Sequence, residues 1–265
     1  MQIRESDLAC ERGRADEGVE GVTVLTREGP FPITEVNVTS EAGARGIGRP
    51  RGRYVTVEFP PLFRMFEEER VAGAELLSSL LSAMLPKGEK PLLVVGLGNR
   101  EMTADALGAR CVELLQRCDH GLFLCAPGVQ AQSGMEAAQV VHALTEEVRP
   151  RAVAVIDALC ARSCKRLACT VQLSDTGLVP GSGIREPKRG ISPKELGIPV
   201  VSIGVPTAVP AVSLLADVLR GAQPSVREEL LGQADRLQPH FVLPREIDVA
   251  VEGAARLIAD AILAL

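Results

Sequence analysis

RAVAVIDAL, residues 151–159, is an apolar run that ends on an acid. A strand with one wet face alternates polar and apolar residues. An unbroken run is buried on both faces, which is the habit of parallel strands covered by helices. PLLVVGLGN at 91–99 and IPVVSIGVP at 198–206 read the same way, and GLFLCAPGV at 121–129 is a further strand and loop. Helical spacing recurs between them, over about residues 103–118, 135–148 and 209–219. This strand, loop and helix rhythm predicts an α/β fold, with a mostly parallel central sheet and helices on both faces.

The flanks fit around that unit. Phe66, Val71, Ala72, Leu76, Leu77 and Leu80 predict a helix over about 64–84, and Ile247, Val251, Ala254, Leu257, Ile258 and Ile262 predict a closing amphipathic helix. Short alternating runs at 22–26, 33–40 and 54–61 read as strands. The chain therefore divides into a β-rich segment, 1–62, and an α/β domain, 63–265. RLACTVQLSD at 166–175 alternates and reads as an edge strand. Residues 221–245 read as a polar connection.

Composition narrows the function. The 265 residues suit one large domain, and 46% hydrophobic with 24% charged residues describes a globular chain. A formal net charge of -5 and no dominant basic block argue against direct nucleic-acid binding. With no Trp and one Tyr, aromatic platforms for bases are unlikely to be built. The start of the chain has no signal-peptide pattern, and no run reaches the ~18 apolar residues of a membrane span. A cytoplasmic protein is expected. Seven cysteines at irregular spacing do not form a disulfide framework. Cys160, Cys164 and Cys169 lack a CxxC pair, so buried free thiols are expected rather than a metal site.

In an open parallel sheet, ligands gather beyond the carboxyl ends of the strands. Asp157 lies at such an end, and Asp105 lies in the loop after residues 91–99. Each alone also reads as a helix cap, and Asp157 as a partner for Arg162. Together they form a candidate pair. Like charges close together push pKa values apart, so one carboxylate can act as base on a water while the other stays protonated and polarises a carbonyl. Asn99 and Arg162 are candidate supports. The Asp175-Thr176-Gly177 triplet resembles that of two-lobed aspartic proteases, but it occurs once in an α/β chain, so Ser174 and Asp175 read as a turn or a wall of the site. GLGN at 96–99 lacks the third glycine of a dinucleotide loop, and a close backbone approach explains it more simply. His120, His142 and His240 offer no evident base to a nucleophile.

Longer motifs carry a resemblance. GLGNREMTADALG at 96–108, APGVQAQSGMEAAQVV at 126–141, the whole of 155–183 and LGIPVVSIGVPTAV at 196–209 resemble the spore germination protease family. RESDLACE at 4–11, YVTVEFPPL at 54–62 and FVLPREIDVAV at 241–251 are similar to its remaining conserved-looking stretches. The resemblance implies an endopeptidase of an unusual aspartic type that degrades small acid-soluble spore proteins at germination, in the spore core. It puts the two proposed catalytic acids on Asp105 and Asp157, and implies no cofactor and no metal. It further implies a fold like that of hydrogenase maturation proteases, a zymogen trimmed at its N-terminus, and a tetramer. Two departures stand out. The chain is short, with only 221–240 before the closing helix, and only three residues precede Arg4. Ser6 also stands where the family usually has Thr. A metal-dependent amidase recruiting His120 or His142, and an inactive binding or scaffold relative, are the rival readings.

Overall fold

The computed structural model describes residues 6–13, 18–118, 121–179 and 189–265. His120, the PGSG turn at 180–183 and Arg4 lie outside the described residues.

Nine strands make one sheet: β1 (Val22–Arg27), β2 (Ile33–Val38), β3 (Gly52–Glu58), β4 (Leu92–Gly96), β5 (Leu122–Cys125), β6 (Ala152–Cys160), β7 (Thr170–Ser174), β8 (Val200–Pro210) and β9 (Phe241–Val242). Their order is β1-β2-β3-β7-β8-β6-β4-β5, and β9 pairs with β8. β8, β6, β4 and β5 are mutually parallel, as the apolar runs predict. The remaining pairs are antiparallel, so a parallel centre continues into a mixed sheet on the side of β7 and the N-terminal strands. The N-terminal strands extend the same sheet through the β3–β7 pairing.

β7 is an interior strand, contrary to the edge position its alternation suggests. It is hydrogen-bonded to β3 on one side and β8 on the other. Its polar residues Thr170, Gln172 and Ser174 are all buried, at 0%, 7% and 1% exposure. They face protein where the pattern points to water.

Helices cover both faces. α3 (Glu67–Met84), α4 (Leu107–Leu115) and α10 (Ile247–Leu263) lie on one, where Leu77, Leu81, Leu107, Leu257 and Ile258 pack against Leu92, Val94, Ile156 and Ile203. These side chains are at most 1% exposed. Burying each contributes about 1.5–3 kcal/mol relative to leaving it in water. On the other face, α6 (Ala137–Val148) covers Leu93, Val95, Val153 and Val155. α1 (Ala9–Gly13) and α2 (Glu41–Ile47) cover Val36, Val38 and Tyr54. The shorter helices are α5 (Gln130–Ser133), α7 (Pro193–Leu196), α8 (Ala211–Val218) and α9 (Pro224–Gly232). α9 and β9 fall in the stretch that reads as a polar connection. No helix among the described residues is long and apolar enough to cross a membrane.

Candidate active site

Asp105 is set by glycines. A Cβ on Gly96 would lie 2.0 Å from the Gly108 carbonyl oxygen, and one on Gly108 would lie 2.6 Å from that of Ile156. Side chains there would force α4 away from the ends of β4 and β6. Gly98 has φ +99, and a Cβ on it would meet the Asp105 carbonyl oxygen at 1.9 Å. The loop after β4 thus closes tightly on itself. Asp105 ends a 3-10 turn (Thr103–Asp105), and its Oδ2 accepts the Asn99 backbone N–H at 2.8 Å.

Asp157 lies in the last part of β6, beside that loop, where the Leu97 N–H donates to the Ile156 carbonyl at 2.8 Å. Residues directly opposite across strands share a face. Asp157 is paired with Gly204, Gly204 with Gln172, Gln172 with Thr56, and Thr56 with Thr34. A row of polar residues therefore runs from Asp157 across the sheet on one face.

The N-terminal segment lies over this row. The Asp7 N–H donates to the Cys160 carbonyl at 2.8 Å, and the Cys160 N–H donates back to Asp7 Oδ2 at 2.9 Å. Gln172 grips the same segment twice. Its Nε2 donates to the Asp7 carbonyl at 3.1 Å, and its Oε1 accepts the Ala9 N–H at 2.7 Å. Leu8, Ala9 and Cys10 are fully buried.

The two carboxyls have unlike surroundings. Burial raises the pKa of Asp105 above its usual value, and the Asn99 N–H pulls it back. Asp157 is pushed up to about 8, first by burial, then by the charge of Asp105. The Ala158 N–H, at 3.0 Å, offsets a little, and the charge of Asp7 adds to the rise. The proton is thus favoured on Asp157 over Asp105.

Other expected residues divide. Asn99 lies beside Asp105, and its Oδ1 accepts from Glu101 N at 3.0 Å and from Gln132 Nε2 at 2.8 Å. Arg162 lies beyond the end of β6, with its backbone N–H on Glu11 Oε2 at 2.6 Å and its side chain exposed. Ser174 and Asp175 are not brought to the pair. β7 runs antiparallel to β8, so its last residues lie at the amino ends of the parallel strands. There Ser174 Oγ is 2.9 Å from Thr176 Oγ1, and Asp175 Oδ1 accepts the Arg53 N–H at 2.8 Å. Asp175 also lines a cavity of about 370 Å³ with Met84, Pro193 and Ile198, at this opposite edge.

His142 is on α6, and its Nε2 is buried without a hydrogen-bond partner. The backbone of His240 pairs with Leu237 and Ala211. None of the seven cysteines is in a disulfide; Cys10 and Cys111 are buried, Cys118 and Cys164 are exposed, and Cys160 and Cys169 are half-buried, so the expectation of buried thiols at 160, 164 and 169 is not met. Among the described residues, no three or more His, Cys, Asp or Glu side chains gather as a metal-binding group.

Sequence reasoning missed Asp7, Gln172 and Gln132. Polar alternation within residues 170–174 was the one signal for Gln172, and it carries no indication of what the polar face meets.

A family model described as germination protease matches residues 2–221. A germination protease of Clostridium perfringens is 32% identical over 310 aligned residues, covering 97% of this chain and 93% of the relative. That alignment is longer than this chain, so the relative carries residues that this chain lacks. A germination protease of a Geobacillus strain is 39% identical over 237 residues, covering 82% of this chain and 63% of that protein. Among solved structures, a NiFe hydrogenase maturation protease, HycI, from Thermococcus kodakarensis aligns with 62% of this chain and 99% of its own, at 14% identity and a TM-score of 0.35. That alignment adds nothing to the sheet order described above. With most of its length matched, the chain belongs to the germination protease family and is a peptidase.

Proposed function

We propose that this peptidase is an endopeptidase cleaving small acid-soluble spore proteins, with Asp105 and Asp157 as an acid–base pair. The observation that carries the mechanism is the unlike setting of the two carboxyls. Burial raises both carboxyls, but the Asn99 N–H draws Asp105 back toward its charged form, while the charges of Asp105 and Asp7 push Asp157 further toward its protonated form. Asp105 takes a proton from a water whose oxygen bonds to the scissile carbonyl carbon. Asp157 donates a hydrogen bond to the carbonyl oxygen and then its proton to the leaving nitrogen as the C–N bond breaks. Transfer of the proton from Asp105 to Asp157 resets the pair. No covalent enzyme intermediate is needed. Asn99 offers a further donor to the developing oxyanion.

Family membership also supports action in the spore core, a homotetrameric assembly and synthesis as a zymogen trimmed at its N-terminus. Docking of residues 6–9 along the end of β6 is consistent with the last of these.

The test is cleavage of a small acid-soluble spore protein by the parent, Asp105→Asn and Asp157→Asn, with and without a chelator. Both variants are expected to lose about 10²–10⁴-fold in kcat while staying folded, with the parent indifferent to chelation. Parent-like cleavage by both folded variants overturns the pair, and chelator-sensitive cleavage favours a metal-dependent peptidase.

A further inference from the structure

Side-chain amides are ambiguous in orientation unless fixed donors surround them. At the carboxyl edge two backbone N–H groups supply that constraint. The Val129 N–H donates to Gln132 Oε1 at 3.3 Å, which turns the Gln132 amino group toward Asn99. Gln132 Nε2 then donates to Asn99 Oδ1 at 2.8 Å. The Glu101 N–H donates to the same oxygen at 3.0 Å. Asn99 Oδ1 is therefore engaged twice, and Asn99 Nδ2 has no acceptor among the described residues. The backbone N–H of this same Asn99 holds Asp105 Oδ2.

The geometry also fixes Gln132 itself. It lies on α5, just after β5, and Gly128 has φ +70. A Cβ on Gly128 would approach Gln132 Oε1 to 2.7 Å. A side chain at 128 would crowd the glutamine out of its place. The loop after β5 is thus latched to the loop after β4 by one directional chain of hydrogen bonds, from Val129 through Gln132 to Asn99.

We infer that Gln132 is a positioning residue for peptide hydrolysis: it holds the Asn99 amide so that Nδ2 faces the substrate and donates to a peptide carbonyl oxygen. The inference rests on the acid-pair reading above, since it places that donor beside Asp105. The ligand group is a backbone carbonyl, so the contribution is independent of the substrate side chains. It is expected mainly in kcat, where negative charge grows on that oxygen.

Gln132→Glu reverses the polarity of the latch at nearly constant size. Its carboxylate can only accept, so it repels Asn99 Oδ1 and draws Nδ2 away from the substrate. Gln132→Met removes the latch but leaves the Glu101 N–H in control of Asn99. Cleavage of a small acid-soluble spore protein is measured for these variants, for Asn99→Ala, and for Gln132→Glu in the Asn99→Ala background. Asp157→Asn is run alongside.

Gln132→Glu is expected to lower kcat about 10-fold with KM within about twofold of the parent, and Gln132→Met to lower it less. In the Asn99→Ala background the glutamate is expected to cost less than about twofold, because residues that act through one another are not additive. Equal losses in both backgrounds, or a parent-like Gln132→Glu, overturn the inference. If Asp157→Asn is inactive while Gln132→Glu is parent-like, the inference alone falls. If Asp157→Asn cleaves at the parent rate, the acid-pair reading falls and takes the inference with it.

Discussion

The backbone N–H of Asn99 donates to Asp105 Oδ2 at 2.8 Å and offsets part of the rise that burial gives this carboxyl. Among the described residues Asp157 accepts the N–H of its neighbour Ala158, and the charges of Asp105 and Asp7 raise it further.

The pH dependence of cleavage follows. The proposed mechanism requires Asp105 ionised and Asp157 protonated. On the acidic side kcat/KM falls as Asp105 protonates, at a pH raised by burial from the ordinary aspartate value. On the basic side it falls as Asp157 ionises, near pH 8. Since kcat/KM reports the free enzyme, both limbs belong to the structure described. Asp7→Asn keeps an acceptor for the Cys160 N–H but removes a charge, so the basic limb is expected to move to lower pH. A pH profile of kcat/KM for parent and variant checks both points. A flat profile through pH 8 would contradict the protonated state of Asp157.

Stability should report the same proton without any substrate. The pKa of folded Asp157 is raised above its ordinary value of 3.8. The folded state therefore binds this proton more tightly than the unfolded state does. The resulting stability is complete below about pH 4 and is lost as pH rises toward 8. Asp157→Asn is neutral at every pH and escapes that loss. It is expected to gain roughly 2–4 kcal/mol over the parent at pH 8, with the gain vanishing near pH 4. Denaturant unfolding of both proteins across this range measures it. A variant that is less stable than the parent at pH 8 would mean that the Asp157 carboxyl is not the strained group.

The legible parts of this molecule are those written in local periodicity. The apolar runs of β4, β6 and β8 foretell parallel strands, and strand ends foretell where Asp105 and Asp157 emerge. Long apolar spacing foretells α3 and α10. What local patterns could not carry was direction and partnership. β7 alternates, but its polar side chains face buried peptide rather than water, so an interior strand reads as an edge. Its antiparallel course takes the prominent Asp175-Thr176-Gly177 triplet to the opposite end of the sheet from Asp105 and Asp157. Asp7 and Gln172 meet across most of the chain length, and no spacing rule joins them. α9, with PSVREELLG and no buried residue, has no apolar stripe to announce it.

Gln172 offers the most direct check on that hidden half of the site. Its carboxamide binds both the Asp7 carbonyl and the Ala9 N–H. Gln172→Leu fills similar space without either bond. It leaves a donor and an acceptor unpaired in a segment where Leu8, Ala9 and Cys10 are fully buried. An unpaired buried group costs about 1–3 kcal/mol. The segment is expected to undock before the rest of the fold does, so amide exchange at residues 8–13 should quicken while that of residues 153–156 in β6 stays slow. Release of Asp7 from the end of β6 should also lower the basic limb of the rate profile, as Asp7→Asn does. Gln172→Glu adds a graded version. Its carboxylate still accepts the Ala9 N–H but faces the Asp7 carbonyl without a proton to give, so exchange at 8–13 should be faster at pH 7 than its intrinsic pH dependence explains, and should slow toward pH 4. Unchanged protection of residues 8–13 in both variants would show that the segment is held by its buried side chains, and that Gln172 does not set the charge above Asp157.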